Sequence, residues 1–265
     1  MFLDSRLSSG LSSTASEQSL RIWSALIVLG ALVIAAVFAD LGGLDTRVEN
    51  FYFDSARQLF PYRDQMLFSA VLHDGLRKLM VFVLLLLLFF VGLLRLRPRW
   101  ALRLPDFWSQ VRLLPYLTAV FVSGPLLVGA LKQVTTRACP WSLAQYGGAL
   151  PYGDFLHAQF FSLAAAGHCF PGAHASAGFV LFAFVPLVKQ RWRATLAVLV
   201  FLLGLGMGWV QMMRGAHFLS HNLWSAVIGW SVMLLWYAVL KPGCLPSHTV
   251  SHTRHEDLLP EVSGV

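Results

Sequence analysis

Long apolar runs are the feature that most limits what this chain can fold into. Six of them alternate with polar segments, at residues 22–39, 79–94, 113–131, 174–188, 194–213 and 222–240. Each is close to the length that an α-helix needs to cross a bilayer. Because lipid offers the backbone no hydrogen-bond partners, such runs cross it as helices. The sequence therefore predicts an all-α, polytopic membrane protein with six transmembrane helices.

Composition agrees with this class and argues against others. Of the 265 residues, 57% are hydrophobic and only 12% are charged, which is far from the average of soluble proteins. The formal net charge is +7, but the basic residues separate the apolar runs instead of forming one face. That distribution does not indicate a nucleic-acid partner. The three cysteines are too few for a dense disulfide framework.

The polar segments suggest how the chain is divided and oriented. Residues 1–20 are polar and serine-rich, which is typical of a disordered tail, and residues 243–265 form a second polar tail. The membrane domain would span 21–242. Its loop at 40–77 predicts an extramembrane segment with a short amphipathic helix at the surface. If both tails are cytoplasmic, 12 of the Lys and Arg residues lie inside and 8 outside. This distribution favours that orientation, with the bacterial inner membrane as the expected location.

Three segments would then meet at the outer face, at residues 132–140, 169–174 and 214–221. Their cations and histidines are Lys132, Arg137, Arg214, His174, His217 and His221. His217 and His221 are four residues apart and share one face of a helix. Cations neutralise phosphate oxygens, and histidine can act as nucleophile or proton donor. Free backbone N–H groups of Gly172 and Ala173, at a helix start, would receive an oxyanion. The set predicts a phosphate-ester site.

The order of these segments resembles a known family. They read KQVTTRACP from Lys132, PGAH from Pro171 and GAHFLSH from Gly215. In that order they resemble the three motifs of the type 2 phosphatidic acid phosphatase superfamily, over roughly residues 70–240. The lysine, both prolines and two histidines match. The departures from the family pattern are Cys139 for arginine, Gly172 and Ala173 for Ser-Gly, Gln211 for arginine, and His221 for aspartate.

The resemblance implies a membrane lipid phosphatase that needs no metal or other cofactor. His217 would attack phosphorus and carry the phosphoryl group. His174 would protonate the leaving oxygen and then activate water, while His221 would accept the Nδ1 proton of His217. Lys132, Arg137 and Arg214 would bind phosphate oxygens. Candidate substrates are a polyprenyl pyrophosphate, phosphatidylglycerol phosphate, phosphatidate and a lipid A phosphate.

A disulfide follows from the same resemblance. If the family site assembles, the loops that carry Cys139 and Cys169 must meet, and an oxidising periplasm would preserve a bond between them. Cys244 is expected on the cytoplasmic side in reduced form.

Two other functions stay open from the residues alone. His217 and His221 could be two ligands of a metal-dependent membrane hydrolase. The cationic pocket could also bind or transport a lipid phosphate without chemistry. The sequence does not indicate an oligomeric state.

Overall fold

The architecture is helical throughout the part of the chain that a computed structural model describes, namely residues 4–65, 75–96, 107–154, 156, 161 and 167–242. Within those ranges there is no β-strand, so the predicted all-α class is confirmed. The helices are α1 (Asp4–Leu41), α2 (Leu44–Tyr52), α3 (Leu76–Leu96), α4 (Phe107–Val134), α5 (Ala173–Phe179), α6 (Gln190–Met213) and α7 (Leu219–Leu240). A 3₁₀ segment, Val180–Leu187, continues α5.

Four of these helices are long and apolar enough to cross a membrane. The qualifying stretches are Ile22–Leu41 of α1, Leu113–Val134 of α4, and the whole of α6 and α7. The second and fourth predicted spans also form helices, but their apolar stretches are shorter, at Val81–Phe90 and Ala173–Leu187. The chain therefore has the helices of a membrane protein, and the count of six spans stays a prediction.

The fourth run is largely buried among the other helices. Phe179 of α5 is fully buried. A Cβ added to Gly204 of α6 would lie 2.4 Å from the Phe179 ring, and one added to Gly229 of α7 would lie 3.0 Å from the Phe179 Cβ. Glycine on both neighbouring helices thus admits the phenylalanine ring, and close packing of this kind holds membrane helices together.

The outer helices present apolar side chains to their surroundings. Ile27 of α1 is 69% exposed, Phe82 of α3 is 61% exposed and Leu202 of α6 is 57% exposed. On a soluble protein such surfaces would be an aggregation hazard, whereas lipid tails cover them at no cost. Their distribution supports the assignment of these helices to a bilayer.

One expectation about the amino-terminal region needs correction. Helix α1 begins at Asp4, inside the segment for which we predicted a disordered tail, and that segment contains no proline to break it. The predicted short amphipathic helix exists as α2, and its outer face is exposed at Arg47, Asn50 and Phe51. Its Asp45 and Glu49 are fully buried because α2 packs against α6 and α7. The tail at 243–265 lies outside the described residues.

Candidate active site

The three motif segments contact one another at the same end of the helices. Thr135 Oγ1 donates to the Phe170 carbonyl at 2.8 Å, which joins the first segment to the second. Gly172 N–H donates to the His221 carbonyl at 3.0 Å, which joins the second to the third. Trp141 N–H, one residue beyond Pro140, donates to the Gly215 carbonyl at 2.9 Å. The fold therefore assembles segments that lie far apart in sequence.

A disulfide links the first two segments. Cys139 and Cys169 are paired with their Cα atoms 5.2 Å apart and a sequence separation of 30. This is the pair that the motif resemblance implied. Beside it, Cys169 N–H donates to the Arg137 carbonyl at 3.2 Å. Two backbone segments are thus joined covalently and by a hydrogen bond at the same point.

The histidines lie at the starts of α5 and α7. His217 is in the loop before α7 and is 5% exposed. His221, in the first turn of α7, is fully buried, and its ring centroid is 5.9 Å from that of His217. His174 is half-buried as the second residue of α5. The site therefore offers one histidine from each of two helix starts, with a third behind them.

His221 does not perform the task we expected of it. Its ring packs edge-on against Phe170 and Phe218, at centroid distances of 5.4 Å and 5.3 Å. Neither ring nitrogen has a hydrogen-bond partner among the described residues, although the Cys169 backbone lies near the ring. The predicted hydrogen bond from His217 to His221 is therefore not made in this structure. Aromatic packing is what fixes the His221 ring.

The three predicted phosphate-binding cations are placed very differently. Lys132 Nζ lies 3.5 Å from the Pro171 carbonyl, beside the second motif. Arg214 is half-buried, with Nη1 3.2 Å from Gln211 Oε1 and Nε 3.0 Å from the Arg63 carbonyl. Gln211 occupies the position where the family pattern has arginine. It therefore holds the displaced arginine through its own side chain.

Arg137 needs correction as a phosphate ligand. It is only 4% exposed, its Nη2 is 2.5 Å from Asp40 Oδ1, and its Nη1 donates to the Gly153 carbonyl. A guanidinium held this way is neutralised by a carboxylate before any substrate arrives. Arg137 is therefore placed to anchor the first segment to the end of α1.

Gly172 needs correction as an oxyanion donor. Its N–H is already donated to His221, and its carbonyl accepts the Ser225 hydroxyl at 2.9 Å. A Cβ at Gly172 would lie 2.5 Å from Asn222 Oδ1, which explains why a larger residue is absent there. Ala173 is the first residue of α5, so its predicted role stays a prediction.

Family comparison now adds to this geometry. Residues 112–242 match the model of the PAP2 superfamily. This region belongs to the PAP2 superfamily. The matched region runs from α4 to the end of α7 and contains all three motif segments and all three site histidines. No curated protein and no solved structure matches the chain.

Two buried carboxylates from outside the PAP2 region contact the motif segments and a third lies near them, and sequence reasoning placed none of them at the site. Asp40 binds Arg137, and Asp45 Oδ1 accepts the Ser220 N–H at 2.8 Å. Glu49 is fully buried, and neither carboxylate oxygen has a partner among the described residues. The one sequence signal was the spacing of Asp45 and Glu49, which places both on one face of a helix.

Burial changes the acidity of the two α2 carboxylates. It raises the pKa of Asp45 to about 7, and the hydrogen bonds from Ser220 oppose that rise. Burial likewise raises the pKa of Glu49 well above its usual range, and the neighbouring Asp45 adds to the effect. The site therefore has beside it one carboxyl, Asp45, whose pKa lies near neutrality.

A metal site finds no support in the part of the chain that the structure describes. No group of three or more His, Cys, Asp or Glu side chains is placed there to hold a metal ion. His217 and His221 have their rings close together but lack a third ligand in that set.

Proposed function

We propose that this protein is an integral membrane lipid phosphatase of the bacterial inner membrane. It would hydrolyse a phosphate monoester or pyrophosphate of a membrane lipid at the periplasmic face, with both termini in the cytoplasm. The observation that carries the proposal is that the segments carrying Lys132, His174 and His217 contact one another at one end of a bundle of apolar helices. Membership of the matched region in the PAP2 superfamily supports a phosphatase of lipid-like substrates.

The chemistry follows from two histidines with separate tasks. A ring nitrogen of His217 donates its electron pair to phosphorus, and an N–P bond forms as the bond to the leaving oxygen breaks. The leaving oxygen keeps the electron pair of the broken P–O bond and takes a proton from His174. Water then attacks the phosphoryl group and gives its proton to neutral His174, and the N–P bond breaks to release phosphate. Each step matches the ordinary roles of histidine as nucleophile and general acid–base.

Positive charge would stabilise the oxygens of the transferred phosphoryl group. Lys132 supplies it from the end of α4, where its Nζ lies beside the second motif. Arg214 supplies it from the loop before α7, with a forked guanidinium that Gln211 orients. Since Arg137 is paired with Asp40, the proposal assigns it no contact with phosphate.

A lipid substrate is favoured by the position of the site. His174 and His217 lie at the ends of α5 and α7, and α7 is one of the helices apolar enough to cross a membrane. A phosphate bound at the end of a membrane-length helix suits a molecule whose apolar part lies in the bilayer. Phosphatidate, phosphatidylglycerol phosphate, a polyprenyl pyrophosphate and a lipid A phosphate all meet this requirement.

The test is phosphate release by purified protein in detergent. Each candidate lipid would be offered with and without EDTA, to wild type, His217→Ala and a His255→Ala control from the carboxyl-terminal segment. We expect release that EDTA does not affect and a loss of at least about 10⁴-fold in kcat for His217→Ala, as when one member of a catalytic unit is removed. His174→Ala should slow both the formation and the hydrolysis of the phosphorylated protein.

Three outcomes would contradict the proposal. Near-normal turnover by folded His217→Ala would remove the nucleophile. Release abolished by EDTA and restored by zinc would favour a metal-dependent hydrolase. Tight lipid binding without any release would favour a binding or transport protein.

A further inference from the structure

The helix that follows the proposed nucleophile does not cap its own amino terminus. Phe218 precedes the first residue of α7 and provides no side-chain cap. Its first backbone bond, from Asn222 N–H to the Phe218 carbonyl, is long at 3.4 Å. The first N–H groups of a helix have no partner within the helix, and a neighbouring side chain usually supplies one. This turn carries His221 and directly follows His217, so its rigidity bears on the site.

Asp45 provides the missing cap from a distant part of the chain. Its Oδ1 accepts the Ser220 N–H at 2.8 Å, and its Oδ2 accepts the Ser220 hydroxyl at 2.5 Å. Asp45 and Ser220 are 175 residues apart in sequence, and both are almost completely buried. An acidic side chain at a helix amino terminus also interacts favourably with the helix dipole.

The turn between α1 and α2 makes this reach possible. Gly43 adopts a left-handed backbone conformation with φ of 73°, and Thr46 Oγ1 donates to the Gly43 carbonyl at 3.1 Å. From the same corner Asp40 binds Arg137 of the first motif. One short stretch outside the PAP2 region is thus bonded to both the first and the third motif segments.

The hydrogen-bond pattern suits the ionised form of Asp45 best. Oδ1 accepts the Ser220 N–H in either charge state, whereas Oδ2 accepts the Ser220 hydroxyl only when it is ionised and would donate to that hydroxyl when it is protonated. Asp45 interacts electrostatically with five charged or ionisable side chains. They are Asp40, Arg137, Glu49, Tyr146 and Tyr152. Ser220 and Arg137 favour the ionised form, whereas burial and Asp40 oppose it. When Asp45 takes up a proton, the cap keeps the Ser220 N–H contact but loses its charge-assisted strength and its favourable interaction with the helix dipole.

We propose that Asp45 is a positioning residue of the active site, which holds the start of α7, and with it His217 and His221, through Ser220. The third motif has no carboxylate of its own because His221 occupies that position. Asp45 brings a carboxylate to the same turn from outside the PAP2 region and acts on the backbone instead of on a ring. Only the predicted effect of Asp45 on turnover depends on the proposed function; its effect on the order of the turn does not.

The experiment compares Asp45→Asn, Asp45→Ala and the control Asp54→Asn in full-length protein. Asp54 is a partly exposed carboxylate that caps Ala56 and Arg57 within its own turn. Hydrogen exchange of peptides covering 216–222 measures the order of the turn without reference to activity. We expect Asp45→Ala to speed exchange there by about tenfold, as the loss of a helix cap of roughly 1 kcal/mol or more implies. Exchange in α6 and in the control should match wild type.

Phosphate release gives the second readout. We expect kcat to fall about tenfold or more in Asp45→Ala while KM changes less than about threefold, because substrate contacts stay in place. Asp45→Asn keeps one acceptor for the Ser220 N–H and should lie between wild type and Asp45→Ala. Its acid limb of kcat against pH should also be shallower, because the cap no longer titrates.

The outcomes separate the two proposals. If wild type releases no phosphate from any lipid, the proposed function fails and hydrogen exchange still decides the role of Asp45. If exchange at 216–222 is unchanged in folded Asp45→Ala or Asp45→Asn, the positioning role is overturned. It is also overturned if KM rises in proportion and kcat stays constant, since that pattern indicates a contact with substrate. Where Asp45→Ala does not fold, Asp45→Asn provides both measurements.

Discussion

The starts of α5 and α7 each carry a proposed catalytic histidine, yet they are held by different means. At the start of α5, Ser176 N–H donates to the Gly172 carbonyl at 3.0 Å and Ser176 Oγ donates to the Ala173 carbonyl at 2.7 Å. The disulfide lies just before it at Cys169. At the start of α7 the cap is the carboxylate of Asp45. The His174 side is thus held by uncharged and covalent contacts, and the His217 side by an ionisable one.

Because of this difference, we expect the α5 side and the α7 side of the site to respond to different changes in conditions or sequence. Uncharged hydrogen bonds and a disulfide do not titrate near neutral pH, so the His174 side should be sensitive to reduction and to steric change. The His217 side should be sensitive to pH and to the loss of a single charge. Disturbing each half separately tests whether the division is real.

Breaking the disulfide should give the largest effect on stability. For the Cys139–Cys169 separation of 30, the loop-entropy model gives about 3–4 kcal/mol of stabilisation. Cys139→Ser and Cys169→Ser should lower the unfolding temperature in detergent, while Cys244→Ser should not. Alkylation without reductant should label one cysteine in wild type by intact mass. Three labels would show that the bond does not form in the cell.

Adding a methyl group at Gly172 should disturb the α5 side by steric means. A Cβ there would lie 2.5 Å from Asn222 Oδ1, and the Asn222 amide is itself confined, since a Cβ at Gly208 would lie 2.5 Å from its Cγ. We expect Gly172→Ala to destabilise by about 1–3 kcal/mol, as overpacking does.

Thermal unfolding of Gly172→Ala, alone and with Asn222→Ala, measures this effect. The second change should restore part of the loss. Gly30→Ala is the control, because a Cβ there meets nothing within 4 Å. Equal destabilisation in the single and double variants would mean that Asn222 is not the obstacle.

Replacing Arg214 should weaken the α7 side without unfolding it. The guanidinium contacts Gln211 Oε1 and the Arg63 carbonyl through two different nitrogens, which one ammonium cannot reproduce. We expect kcat/KM of Arg214→Lys to fall about tenfold, or roughly 1.4 kcal/mol. Arg57→Lys, at an exposed ion pair with Asp54, is the control. A larger loss in Gln211→Ala than in Arg214→Ala would mean that Gln211 itself binds phosphate.

Neutralising Glu49 should give the smallest effect and isolate the pH sensitivity. Its pKa is raised in the folded protein, so the folded state keeps a proton that the unfolded state releases above about pH 4.5. Stability therefore falls as the pH rises from there towards the raised pKa. Glu49→Gln should remove that loss, so its unfolding temperature should exceed that of wild type more at pH 8 than at pH 5.

Glu256→Gln, in the carboxyl-terminal segment, is the control for that measurement. If Glu49→Gln and wild type show parallel pH dependence, the Glu49 carboxyl does not titrate differently in the folded protein.

Much of the fold could be read from the sequence because it depends on local properties. The apolar runs predicted helices close to where α1, α3, α4, α5, α6 and α7 lie. The order of the motifs that contain Lys132, His174 and His217 indicated the family, and the loops of Cys139 and Cys169 do meet. Hydropathy did not show that the fourth run is largely buried among other helices, because it does not tell burial in lipid from burial in protein.

Hydropathy, helix length and motif order were determined by the sequence alone, because each is a property of neighbouring residues. Only the tertiary structure decided which charge faces which partner. Arg137 could have faced a phosphate, but the fold brings Asp40 to it across 97 residues. Gly172 could have offered a free N–H, but the His221 carbonyl occupies it. In the sequence Asp45 is one of several acids in a loop of mixed composition, and only the fold shows its hydrogen bonds with Ser220. A buried charge is costly unless it is paired, and here the partner comes from a segment that is distant in sequence and is brought close by helix packing.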